Sequence, residues 1–355
     1  MHNKVTRSKN LKTASIVGAR GYSGLEIVRL LLNHPEVEIK YCFATEAFDL
    51  KKYFSSSKIE NIKCFNQTEI LNYKTDIVFL ATPAEISLKL APALIKNGSL
   101  VIDISGAFRL KNNSYSQWYG FEHDQLNLLA SAHYGLHPWV KPAKQKMIAN
   151  PGCYATAINM ALIPLIKENL VQLNSIVVDA KSGTTGAGKK ATENLIYSEV
   201  EGECLPYKIG THQHYPEMVE TIEKFTSQKI DFHFSTSLLP IRRGIIANIF
   251  AKVNSNITEK DIQNCFDKYY ENYSMIRAGS LKEYPELVSL KKVVGTNKTH
   301  ISYTIEKYND QYSKLYVFST IDNLLKGAAG QAVENMNTFF DYPIDLGLAD
   351  LEALQ

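Results

Sequence analysis

Thr13-Ala14-Ser15-Ile16-Val17-Gly18-Ala19-Arg20-Gly21-Tyr22-Ser23-Gly24-Leu25-Glu26-Ile27-Val28-Arg29-Leu30-Leu31-Leu32 is the stretch whose reading decides the fold. Thr13–Gly18 is a short apolar run that ends in glycine. From Tyr22 to Asn33, Leu25, Ile27, Val28, Leu30, Leu31 and Leu32 recur as they do in a buried helix. The turn between them is spaced G-x-x-G-x-x-G. Glycine lets a backbone come close to a pyrophosphate, and a helix N-terminus offers it N–H donors. Such a motif alone equally suits tight-turn packing. With a strand before it and a helix after it, it reads as a dinucleotide-binding turn.

Outward from this turn, Val37–Phe43 reads as a second strand. Asp76–Ala81 and Leu100–Ile104 read as further buried strands, with a helix over Glu85–Lys96 between them. Nearly all-apolar strands alternating with helices predict a parallel sheet covered on both faces. An acid at the end of the second strand reads the ribose of NAD. In Ala44-Thr45-Glu46-Ala47, Glu46 suits that role, while Thr45 with Lys51 and Lys52 suits the phosphate of NADP.

The texture changes after Cys153. One helix pattern runs to about Asn169, and then longer, alternating strand candidates follow: Ser175–Lys181, Phe232–Leu239, Ile245–Val253, His300–Glu306 and Leu315–Ile321. Among few helices between them, Glu259–Tyr270 is the clearest. This predicts an antiparallel sheet with helices on one side. Asn323 to about Phe340 returns to helix. The fold class is therefore α/β: a Rossmann-type parallel-sheet nucleotide domain plus an α+β, mostly antiparallel-sheet domain. A chain of 355 residues suits two domains. Ser55–Ser57 and Lys111–Ser116 read as surface loops.

Lys and Arg total 39 against 36 Asp and Glu, a net charge of +3, which implies no nucleic-acid or membrane partner. No apolar run has the length of a membrane span. The basic first dozen residues (Lys4, Arg7, Lys9, Lys12) lack the apolar segment of a secretory signal and read as a solvated tail. The five cysteines, Cys42, Cys64, Cys153, Cys204 and Cys265, form no C-x-x-C pair. Neither a metal site nor a disulfide framework is indicated, and a reducing, cytoplasmic setting fits.

Cys153 stands apart. In Ala149-Asn150-Pro151-Gly152-Cys153-Tyr154-Ala155-Thr156-Ala157, Pro151 and Gly152 force a turn where a helix begins. A free cysteine is most often a small core hydrophobe. At a helix start it meets unpaired N–H groups and the positive dipole end, which favour the nucleophilic thiolate.

With these two turns, the chain resembles the N-acetyl-gamma-glutamyl-phosphate reductase family from Ile16 to Leu348. That family belongs to a group with aspartate-semialdehyde and glyceraldehyde-phosphate dehydrogenases. The runs that carry the resemblance are Asp103-Ile104-Ser105-Gly106-Ala107-Phe108-Arg109-Leu110, Asn150 to Tyr154, Ser182-Gly183-Thr184-Thr185-Gly186-Ala187-Gly188, His212-Gln213-His214-Tyr215-Pro216-Glu217, Pro240-Ile241-Arg242-Arg243-Gly244, and Asp322 to Ala332. The resemblance implies NADPH-dependent reduction of an acyl phosphate to an aldehyde, with NAD not excluded as cofactor. It also implies a homodimer or homotetramer, and a last helix that returns to the nucleotide domain. The domains would then be 1–152 plus 323–355 and 153–322.

For that chemistry Cys153 is the expected nucleophile and His214 the acid/base, with His212 beside it; on an extended segment the two histidines would point the same way. Arg109 and Arg243, with Tyr154, are expected at the substrate's carboxylate and phosphate. Gly18, Arg20, Gly21, Tyr22, Ser23, Gly24, Thr45, Pro83, Ser182, Gly183 and Asn323 are expected at the cofactor. Asn323 would also cap the last helix. The nearest alternative is the carrier-protein-linked aminoadipate-phosphate reductase of lysine biosynthesis. A Cys/His hydrolase or a non-catalytic nucleotide-binding regulator are readings of another class; the hydrolase needs no dinucleotide, so the glycine turn argues against it.

Overall fold

A computed structural model describes residues 11–111, 114–190, 192–349 and 351. The basic tail before Leu11 lies outside them, as do two residues of the Lys111–Ser116 segment. The first sheet holds β1 (Lys12–Val17), β2 (Val37–Ala44), β3 (Lys63–Asn66), β4 (Ile77–Leu80), β5 (Leu100–Asp103), β6 (His133–Tyr134) and β7 (Met147–Ala149). All pairings in it are parallel, in the order β3-β2-β1-β4-β5-β7-β6. Every residue of β4 is buried, as covered parallel strands require.

The second sheet holds β8 (Val177–Gly183), β9 (Leu205–Pro206), β10 (His233–Leu239), β11 (Ile245–Asn254), β12 (Ile276–Ser280), β13 (Thr299–Lys307) and β14 (Tyr312–Ile321), in the order β12-β13-β14-β11-β8-β10-β9. Only the β8–β10 and β12–β13 pairings are parallel. β11 buries alternate residues, Ile245, Ala247, Ile249, Ala251 and Val253. That face packs on the helix Cys153–Lys167, which is buried all round from Tyr154 to Ile166. The helices His214–Thr226 and Glu259–Tyr270 flank it.

The final segment departs from a single helix. The N–H of Gly327 bonds to Asp322 O at 3.0 Å and that of Ala329 to Leu324 O at 2.9 Å, five residues back. This makes a wide turn over Leu325–Ala329 before the regular helix Gly330–Phe339. Leu325, Ala329, Ala332, Val333 and Met336 join the core that Ile16, Ile27 and Val28 of the first sheet and its helix form. The Lys111–Ser116 expectation also needs correction. Tyr115 is fully buried at the start of a short helix, its hydroxyl held by the N–H of Leu110 at 3.0 Å.

The glycine turn joins β1 to the helix Tyr22–Leu31. Gly18 has φ +82°, and a Cβ there would lie 2.1 Å from the carbonyl oxygen of Ala81 after β4. Only glycine lets the two strand ends close to this distance. Gly18→Ala is expected to lower unfolding free energy by about 1–3 kcal/mol, read as a lower urea midpoint; an unchanged midpoint would show that the turn relaxes freely.

Candidate active site

The two sheets meet over a cavity of about 570 Å³. The glycine turn enters it through Gly21, Tyr22 and Ser23, the loop after β4 through Thr82 and Pro83, and the loop after β5 through Ser105 and Arg109. Cys153, Tyr154, Ser182, Lys208, His212, His214 and Asn323 complete the part used below. No side chain caps the helix Tyr22–Leu31, and its first turn holds no acid. Its first N–H donors therefore remain for an anion, the geometry a dinucleotide pyrophosphate needs.

Cys153 is the first residue of its helix, as expected, with Gly152 at the cap. The expected thiolate is not what the free protein favours. Burial pushes the thiol up to about 11; the Arg109 charge and the N–H of Tyr154 pull it down and do not win. Desolvation of a sulfur anion outweighs the helix end because the dipole contributes only about 1 kcal/mol.

The two histidines do not lie on an extended segment. His214 opens the helix His214–Thr226, and its N–H donates to His212 Nδ1 at 3.1 Å. The acceptor role leaves His212 with its proton on Nε2. Burial draws His212 down to about 3. His214 is held well below the ordinary histidine range by burial, then by His212 and the charges of Arg109 and Lys208. Its Nε2 lies 3.3 Å from Arg109 Nη1, which can only donate, so Nδ1 carries the proton. A Cβ on Gly152 would sit 2.4 Å from that same Nε2: the ring rests on the residue before Cys153.

Arg109 is locked. Nε donates to Asn150 O and Nη2 to Ile104 O, both at 2.7 Å, and Nη1 reaches Glu217 Oε2 at 3.4 Å. Burial opposes its charge; Glu217, with Asp103 behind it, keeps the guanidinium protonated. Glu217 Oε1 also accepts the N–H of Gly152 and the hydroxyl of Tyr134, each at 2.7 Å. Glu217 was in a run quoted above without a role. Its spacing of three from His214 on one helix was the available signal.

Other expectations fare unevenly. Gly21, Tyr22, Ser23, Pro83, Ser182, Asn323, Arg109 and Tyr154 line the cavity, whereas Gly18, Arg20, Gly24, Thr45, Gly183 and Arg243 do not. Arg243, expected at the substrate, is instead held by Glu26 at 2.6 Å and Asp322 at 2.9 Å, two carboxylates that occupy its fork. Asn323 caps no helix. Its Oδ1 accepts the N–H of Gly244 at 2.8 Å and its Nδ2 donates to Thr185 at 3.0 Å, while Asp322 binds the N–H of Leu324 at 2.8 Å. At the end of β2, Glu46 pairs with Arg20 at 2.5 Å on the surface.

A nucleotide-type parallel sheet, a mixed second sheet and a thiol between them define the class, and comparison with known proteins agrees. The chain matches the semialdehyde dehydrogenase NAD-binding domain over residues 13–147 and the semialdehyde dehydrogenase dimerisation domain over 153–323. It belongs to the semialdehyde dehydrogenase family, among the N-acetyl-gamma-glutamyl-phosphate reductases. It is 40% identical over 328 residues to the N-acetyl-gamma-glutamyl-phosphate reductase of Streptococcus thermophilus, covering 91% of this chain and 94% of that one. To the Staphylococcus epidermidis enzyme of the same name it is 38% identical over 340 residues, 94% and 97% of the two chains. Aspartate semialdehyde dehydrogenase II of Vibrio cholerae shares the fold, with a TM-score of 0.69 at 18% identity over 93% of this chain and 98% of that one.

A thiol near 11 has a reactivity signature. In the free protein, iodoacetamide labelling of Cys153 is expected to rise about tenfold per pH unit between pH 7 and 10. Peptide mass spectrometry at each pH checks this; a plateau below pH 8 would show that the thiolate is favoured after all.

Proposed function

We propose that this chain reduces N-acetyl-gamma-glutamyl phosphate to N-acetylglutamate semialdehyde with NADPH, releasing phosphate through a thioester on Cys153, in arginine biosynthesis. The observation that carries this reading is Cys153 at a helix start in the same cavity as the uncapped glycine turn. The relatives' shared name supports the substrate. NADP is the cofactor of this reading, the protein works as a homodimer or homotetramer in the cytoplasm, and residues 1–152 with 323–355 form the nucleotide unit around 153–322.

The residues divide the work as follows. Cys153 Sγ attacks the acyl carbon, and the C–O bond to phosphate breaks. His214, whose Nδ1 already carries a proton, turns its Nε2 lone pair from Arg109 to the thiol, takes that proton at Nε2 as the C–S bond forms and passes it to the leaving phosphate oxygen. Charge thus never accumulates on a desolvated sulfur. A nicotinamide cofactor held at the Gly21–Ser23 turn would supply the hydride that reduces the thioester carbon. The hemithioacetal oxyanion so formed would collapse with breakage of its C–S bond to release aldehyde, and His214 would return a solvent proton to the thiolate. Glu217 is a positioning residue: it holds both Arg109 and the Gly152 turn, so nucleophile and imidazole keep one geometry.

Cys153→Ala is expected to cut reduction by more than about 10³-fold while leaving NADPH affinity intact, because only the covalent step is removed. Absorbance at the nicotinamide band and a fluorescence titration read the two quantities. Retained turnover would overturn the thioester route. Assays of N-acetylglutamate semialdehyde plus phosphate with NADP, then with NAD, test the substrate and the cofactor.

A further inference from the structure

Three cations line the cavity, Arg109, Lys189 and Lys208, and no carboxylate among the described residues does. Arg109 has little left to offer a ligand. Of its five N–H donors, four point at Asn150 O, Ile104 O, His214 Nε2 and Glu217 Oε2. Lys189 belongs to the nucleotide side. It donates to Arg20 O at 3.0 Å and stands over the rings of Tyr22 and Tyr53 at 5.6 and 5.0 Å.

Lys208 differs from both. It is an exposed residue between Tyr207 and the His212 turn, on left-handed backbone with φ +48° that is uncommon for a lysine. Its Nζ donates to Gln213 Oε1 at 2.8 Å, which orients the ammonium without neutralising it. Partial burial lowers the Lys208 ammonium, no carboxylate among the described residues pairs with it, and two of its N–H donors remain. The ammonium is close enough to the paired imidazoles for its charge to lower both.

We propose that Lys208 is the phosphate receptor of the acyl-transfer step, a catalytic residue that binds the acyl phosphate's oxyanion and holds phosphate as it leaves Cys153. This rests on the reading above that the substrate is an acyl phosphate. A lysine is a compact point charge suited to a phosphate that must both bind and depart. The neutral thiol and imidazole give the incoming dianion no charge to meet, so the attraction falls to Lys208.

Lys208→Gln and Lys208→Arg test it in the aldehyde-oxidising direction. Loss of one charge-assisted hydrogen bond predicts a phosphate KM raised roughly tenfold in Lys208→Gln, with the aldehyde KM unmoved and most of the loss restored in Lys208→Arg. In the free protein, inorganic phosphate is expected to slow iodoacetamide labelling of Cys153, with the half-protecting concentration also raised roughly tenfold in Lys208→Gln. An unchanged phosphate KM with unchanged protection overturns the assignment. A rise confined to the aldehyde KM overturns it too, because Lys208 would then serve the substrate's carboxylate. If the wild type turned over no aldehyde at all, the functional reading would fail, yet the protection assay would still decide for or against Lys208.

Discussion

The structure around Cys153 depends on one buried carboxylate. Glu217 lies on the helix His214–Thr226, Arg109 in the loop after β5 and Gly152 in the turn before Cys153. These three segments come from distant parts of the chain, and Glu217 binds the other two at once. A buried pair of this kind costs desolvation free energy, and removing one partner leaves an unpaired charge worth about 3–5 kcal/mol. What the pair secures is orientation. Because Arg109 is pinned by Glu217 and two carbonyls, its Nη1 faces His214 Nε2 and can only donate there. The tautomer of the imidazole is thus decided by a carboxylate one helical turn further along.

Neutrality at the centre follows from the same burial. A thiol pushed up and an imidazole pushed down do not exchange a proton in the free protein. In the proposed route deprotonation is coupled to attack, so the charge would appear on the leaving phosphate, where cations can meet it. A standing thiolate would be open to alkylation and oxidation between turnovers.

Local pattern made the scaffold legible. Strand β1, the glycine turn and the helix after it declare themselves through periodicity and spacing, and so do β11, β14 and the helix Glu259–Tyr270; the helix ends where expected, while β11 runs one residue further and β14 begins three residues earlier. The two-, three- and four-residue strands β6, β7, β9 and β3 carry too little periodicity to read; their pairing comes from neighbours already in place. The wide turn over Leu325–Ala329 was likewise invisible, since an apolar stripe there fits an ordinary helix. Within the site, residue types at turns were readable: Cys153, His214, Arg109 and the glycines. Partnerships were not. Arg243 and Arg109 look alike in sequence, each within a run that carries the resemblance. They diverge because Arg243 meets Glu26 and Asp322, contributed from opposite ends of the chain, whereas Arg109 meets the histidine.

Asp322 does for the return of the chain what Glu217 does for the nucleophile's turn. It follows β14 and accepts the N–H groups of Leu324 and Gly295, each at 2.8 Å, while Arg243 ties it to Glu26 in the helix after the glycine turn. Its backbone oxygen receives the N–H of Gly327, closing the wide turn. Gly327 lies against Cys153, close enough that a Cβ there would meet the cysteine Cβ at 2.7 Å. Cys153 is therefore bounded by a segment whose conformation the glycine-turn helix helps to hold, and Gly152 just before it by the imidazole that Arg109 and Glu217 orient. A shift of the nucleotide-binding helix would be felt at Asp322 through Arg243, and from there at the wall behind the thiol. The glycine-turn helix and Cys153 thus share one packed chain of contacts.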